Sequence, residues 1–107
     1  MRPGIDGMLV VRADLCDRLD ALQRAAARMS VRDFSQRLAV IRTMAAAYGL
    51  VPVVCVADAF ERAVRAQPRF CPAGLYFERL RDAIGCERID EQAAEAILAS
   101  VSIQLRA

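Results

Sequence analysis

From Val31 to Val64 the apolar residues advance by three or four positions, and that rhythm is interrupted once, between Tyr48 and Val53. Residues at such steps share one face of an α-helix. Val31, Phe34, Leu38, Ile41, Ala45 and Tyr48 form one stripe, and Val53, Val56, Phe60 and Ala63 or Val64 form a second. The break carries Gly49, suited to the left-handed residue that closes a helix, and Pro52, tolerated in the first turn of the next. A connection this short folds the two helices into an antiparallel hairpin. Ser30 is placed to cap the first of them, with Asp33 at the third position, where a carboxylate meets free N–H groups. Glu61 and Arg65, four residues apart, are expected to pair on the exposed side of the second.

The same spacing extends over the rest of the chain. Met8, Val11, Leu15, Leu19, Leu22, Ala26 and Met29 predict a helix from about residue 7 to 28. Leu75, Tyr76, Phe77, Leu80 and Ile84 predict a shorter helix stopped by Gly85. Asp90 caps a last one, with Ala94, Ile97, Leu98, Val101 and Leu105 turned inward. Gln67 to Pro72 breaks the period and reads as a loop. No strand pattern occurs, so the expectation is all-α: one domain over residues 1–107, an antiparallel bundle of about five helices.

Composition narrows the classes of function. A chain of 107 residues builds one core, and 56% hydrophobic content with five Gly and four Pro favours a packed protein over a disordered one. Fifteen basic residues against thirteen acidic ones leave +2, too balanced to imply a nucleic-acid or membrane partner. Every basic residue is Arg, which reads as codon bias and not as a binding signal. No charged segment followed by a long apolar run opens the chain, so a soluble, cytoplasmic protein is expected. Cys16, Cys55, Cys71 and Cys86 lie 39, 16 and 15 residues apart. No two have the close spacing of a zinc site, and no His is present to complete one. Each reads as a small buried hydrophobe in a reducing compartment, and a disulfide between Cys71 and Cys86 is the alternative. No Gly-rich phosphate loop occurs, and neither a metal nor a cofactor is indicated.

The run LAVIRTMAAAYGLVPVVCVADAFE, residues 38–61, resembles the signature of histidine phosphotransfer domains. That signature reads roughly A-H-x-L-K-G, with a glycine ten residues after the histidine and apolar positions along the following helix. Without gaps, Ala39 takes the histidine position, Ile41 the apolar one, Arg42 the lysine, Thr43 the small residue and Gly49 the later glycine. Val53, Val56 and Phe60 match the apolar positions, with Glu61 in the often acidic place after them. Arg18, Leu19 and Leu22 resemble the stretch that commonly precedes the histidine by about twenty residues. The likeness covers residues 15 to 61 in one register and implies an up-down four-helix core, with the α-hairpin in the place of the one that carries the active histidine.

The three positions nearest the chemistry have diverged, and the chain contains no His. Phosphoryl transfer from a receiver aspartate needs an exposed imidazole and a nearby cation. Ala39 supplies no nucleophile. It lies about 120–140° around the helix from the core stripe, on the side shared with Arg32, Ser35, Gln36, Thr43 and Ala46. Ser35 and Thr43 carry hydroxyls but have no activating base and read as exposed polar residues. Asp58 and Glu61 read as a carboxylate pair or a solvated face. Arg42 keeps the lysine's charge in a planar fork able to hold a carboxylate or phosphoryl group, or is a surface Arg beside acidic residues.

Three functions follow as expectations. The first is a non-catalytic module, not an enzyme, that docks a receiver domain or a histidine kinase through Ser35, Gln36, Ala39, Arg42, Thr43 and Ala46 without transferring phosphate. The second is a structural or oligomerising bundle using the alanine-rich faces at 25–27 and 45–47, and the oligomeric state is left open. The third is an enzyme with Cys55 or Cys71 as nucleophile, for which Arg69 is the local hint.

Overall fold

The computed structural model describes the backbone of residues 3–87 and 89–106 and the side chains of residues 7–87 and 89–105. Five α-helices follow one another: α1 (Pro3–Ala25), α2 (Val31–Ala47), α3 (Val51–Ala66), α4 (Ala73–Gly85) and α5 (Glu91–Arg106). A 3-10 turn, Ala26–Arg28, tightens the end of α1. No strand occurs among the described residues, and the expected all-α bundle is what the chain forms.

Local chemistry sets the boundaries. The Ser30 hydroxyl accepts from the Asp33 amide at 3.1 Å and opens α2. The Asp90 carboxylate accepts from the Ala93 amide at 2.8 Å and opens α5. At the end of α2 the Leu50 amide donates to Ala45 at 2.9 Å and the Gly49 amide to Ala46 at 3.1 Å. This paired closure requires a left-handed residue, and Gly49 has φ +70°. Leu50 and Ala45 are both buried in the core, so the turn is fastened from inside as well. Pro52 sits in the first turn of α3, where its missing N–H costs no helical bond.

α1 packs on α2 and α4, α2 on α3, and α3 on α4, which closes a ring of four helices; α5 lies against α3 and α4. Ties at both ends of the α1–α4 contact show that these two run oppositely. Arg12 donates to the Cys86 carbonyl at 3.0 Å, and Arg81 reaches back to Asp20 at 2.8 Å and to Gln23. The early-α2 ring of Phe34 meets Phe60 from late α3, and Phe60 meets Tyr76 and Phe77 from early α4. Neighbours in the ring are thus antiparallel.

α3 has three neighbours, and its sequence reflects it: Val53, Val56, Ala57 and Phe60 are fully enclosed, with Pro52 and Val64 also buried. α1 begins earlier than its apolar spacing suggests, because Pro3 is compatible with a first turn. Leu9 and Val10 are exposed near its start. Three residues at the ends of predicted stripes also face solvent: Val31 (40% exposed), Tyr48 (52%) and Leu105 (50%). Each lies at a helix terminus, where the neighbouring helices no longer cover the stripe.

A Cβ on Gly49 would meet no atom within 4 Å, so a substitution there is charged only for the backbone conformation. Gly49→Val is expected to destabilise the fold by about 1 kcal/mol or more, read as a lower urea midpoint; an unchanged midpoint contradicts the turn described here.

Candidate functional site

The predicted face of α2 divides into two parts. Ser35, Ala39, Arg42 and Ala46 fall in one line along the helix, roughly 70–130° from the centre of its buried stripe, while Gln36 and Thr43 lie further round. That line runs beside α3. Ser35 is consequently buried, 8% exposed, and not the exposed hydroxyl expected from spacing alone. Ala39 and Arg42 are half-buried, and Gln36, Thr43 and Ala46 are exposed.

Ser35, Gln36 and Ala39 come together in a shallow groove of about 610 Å³, completed by Val31 and Arg32 of α2 and by Glu61 and Arg65 of α3. Arg42, Thr43 and Ala46 do not line it; they continue the same helix toward Gly49. The wall from α3 was partly legible. Glu61 and Arg65 pair as their spacing requires, at 2.7 Å, but the Glu61 side chain is only 14% exposed, so the pair forms a side of the groove and not a solvated face. Asp58 pairs separately with Arg62 at 3.4 Å. The two carboxylates each have their own arginine and do not form an acid–base pair.

Two polar atoms on this line are buried without a hydrogen-bond partner among the described residues: Ser35 Oγ and Arg42 Nε. A buried hydroxyl that stays unpaired costs about 1–3 kcal/mol. Arg32 and Arg42 make no ion pair among the described residues, and the groove region retains positive charge after Glu61 is neutralised by Arg65.

The cysteines lie apart from the groove. All four are free and half-buried, and Cys71 and Cys86 are not joined, which corrects the disulfide alternative. Burial raises the thiol pKa of Cys16, Cys55 and Cys71 above the ordinary 9.0; Asp20 adds to this at Cys16, and Asp58 and Glu91 at Cys55. At Cys71 no cation opposes it, so Arg69 does not activate this thiol. No group of three metal-ligating side chains gathers among the described residues. No described helix is long and apolar enough to cross a membrane.

No family model, curated protein or solved structure matches this chain.

Replacing Ser35 with Ala removes the unpaired hydroxyl and leaves the packing almost unchanged. Ser35→Ala is expected to raise stability by up to about 1 kcal/mol in urea unfolding. A clear loss of stability would show that the hydroxyl has a structural partner.

Proposed function

We propose that this chain is a non-catalytic signalling module that docks a receiver domain or histidine kinase of a two-component phosphorelay through the α2 face. The observation that carries the reading is the groove between α2 and α3, where Ser35, Gln36 and Ala39 sit beside Arg32, with a buried hydroxyl kept unpaired. A partner that parts the groove edge on binding would supply the hydrogen-bond group this hydroxyl lacks, and that favours a role in recognition.

The absence of an imidazole removes the phosphoryl-accepting step. Ser35 and Thr43 have no neighbouring His or Lys able to activate them, and burial pushes the Cys55 and Cys71 thiols up, away from the nucleophilic thiolate. What remains is a basic, chemically inert surface. Arg32 and Arg42 complement an acidic partner, and the small side chains of Ala39 and Ala46 let a helix approach closely. The resemblance of residues 15–61 to phosphotransfer domains supplies the class of partner, and the ring of four antiparallel helices is compatible with it.

Truncating one contact at an interface often costs little, so the informative changes introduce bulk or the wrong charge at the flattest part. Ala39→Arg and Thr43→Glu are each expected to weaken capture of a purified receiver domain at least about tenfold while circular dichroism and the melting midpoint stay unchanged. Capture of the same receivers by both variants at wild-type affinity rejects this face as the docking surface.

A further inference from the structure

A second concavity lies at the end of the bundle where α2 begins, α3 ends and α4 begins, on the other side of Val31 from the groove. Its volume is about 170 Å³, and its lining is apolar apart from one thiol: Met29, Phe34, Phe60, Val64 and Pro68, closed by Ala26, Ala73 and Cys71. A cavity of roughly 150 Å³ holds one benzene ring, so this one accepts a single aromatic or branched aliphatic group and not a long acyl chain. The floor is the aromatic cluster itself, Phe34 and Phe60 in edge contact at 5.2 Å, which fixes the shape of the pocket.

The surroundings define what such a group would be attached to. Phe70, in the loop between α3 and α4, is 81% exposed, the most exposed large hydrophobic among the described residues, and stands in sequence between Pro68 and Cys71 of the pocket wall. Arg28, Arg32 and Arg69 each adjoin a lining residue or lie one position from it, are exposed, and make no ion pair among the described residues. In the segments 26–34 and 64–73 that build the rim, Asp33 is the one carboxylate. An apolar socket, an exposed aromatic and an excess of unpaired arginine are the elements of a protein-recognition hot spot with a positive rim. A second copy of this chain would bring the same arginines against these.

We propose that this pocket receives one bulky apolar side chain, Phe or Leu, from an acidic segment of a partner protein, with Arg28, Arg32 and Arg69 holding the flanking carboxylates. The pocket adjoins the α2 groove, with Val31 lining both and Arg32 beside each, and the proposal does not depend on the phosphorelay reading.

The test uses the full chain and three seven-residue probe peptides: a central Phe flanked by Glu and Asp, the same peptide with Ala in place of Phe, and the Phe peptide with Lys flanks. Nuclear magnetic resonance titration is expected to shift the amides of Met29, Val64 and Cys71 with the acidic Phe peptide. The Ala-centred and Lys-flanked peptides should bind at least about tenfold more weakly. Affinity for the acidic Phe peptide should fall as salt rises. Ala26→Phe, which fills the socket, and the triple variant Arg28→Glu, Arg32→Glu, Arg69→Glu, which alters only exposed side chains, should each lower that affinity about tenfold. Equal binding of the three peptides, or no shift at the pocket at millimolar peptide, overturns the proposal. So does a concentration-dependent dimer that closes the pocket to peptide and is lost in Phe70→Ser, because it assigns the socket to a second copy.

Discussion

Phe60 is the residue on which the arrangement of this bundle turns. It is fully enclosed on α3 and meets three rings: Phe34 of α2 at 5.2 Å and Phe77 of α4 at 5.1 Å, both edge-on, and Tyr76 of α4 stacked at 4.9 Å. Phe34 and Phe77 also meet each other at 6.1 Å, so two neighbouring helices are registered against the same point of the central one. Aromatic pairs of this kind add about 0.5–1.5 kcal/mol each beyond the area they bury, and their geometry is specific. Because Phe34 is fixed there, the first turns of α2 are set against the last turns of α3. The groove around Ser35 and the pocket beside Val31 both follow from that registry.

What depended on residues within four positions was legible in the sequence. The Ser30 and Asp90 caps, the Gly49 reversal, the proline in the first turn of α3 and the Glu61–Arg65 pair all rest on local chemistry, and each stands where its spacing places it. What depended on where neighbouring helices stop or lie was not. Val31, Tyr48 and Leu105 continue their stripes in sequence but reach solvent at the helix termini. Ser35 and Glu61 sit at the edge between core and surface, and only the closeness of α2 and α3 decides that both are enclosed. The ties from Arg12 to the Cys86 carbonyl and from Arg81 to Asp20 join residues 74 and 61 positions apart, beyond any periodicity argument.

The six residues expected to form one binding face illustrate the same limit. Helical spacing alone places them on one side of α2. Whether they form one surface depends on α3, which encloses Ser35, half-covers Ala39 and Arg42, and leaves Gln36, Thr43 and Ala46 open. The proposed docking surface is therefore a graded one, a groove at the start of α2 continuing onto a flatter basic strip toward Gly49. The docking proposed for it would rest on shape, on charge and on the hydroxyl of Ser35. Burial raises the thiols of Cys16, Cys55 and Cys71, and Asp58 and Glu61 are each paired with an arginine of α3.

The most direct measurement joins binding and chemistry in one sample. Receiver domains phosphorylated with labelled acetyl phosphate are mixed with this protein, the complex is isolated by size exclusion, and the label on each chain is counted after denaturing separation. The account predicts a complex in which the label stays on the receiver or is lost to water. Stable label on this chain would contradict it and assign a phosphoryl-accepting role to one of its residues, and the absence of any complex would remove the phosphorelay reading altogether.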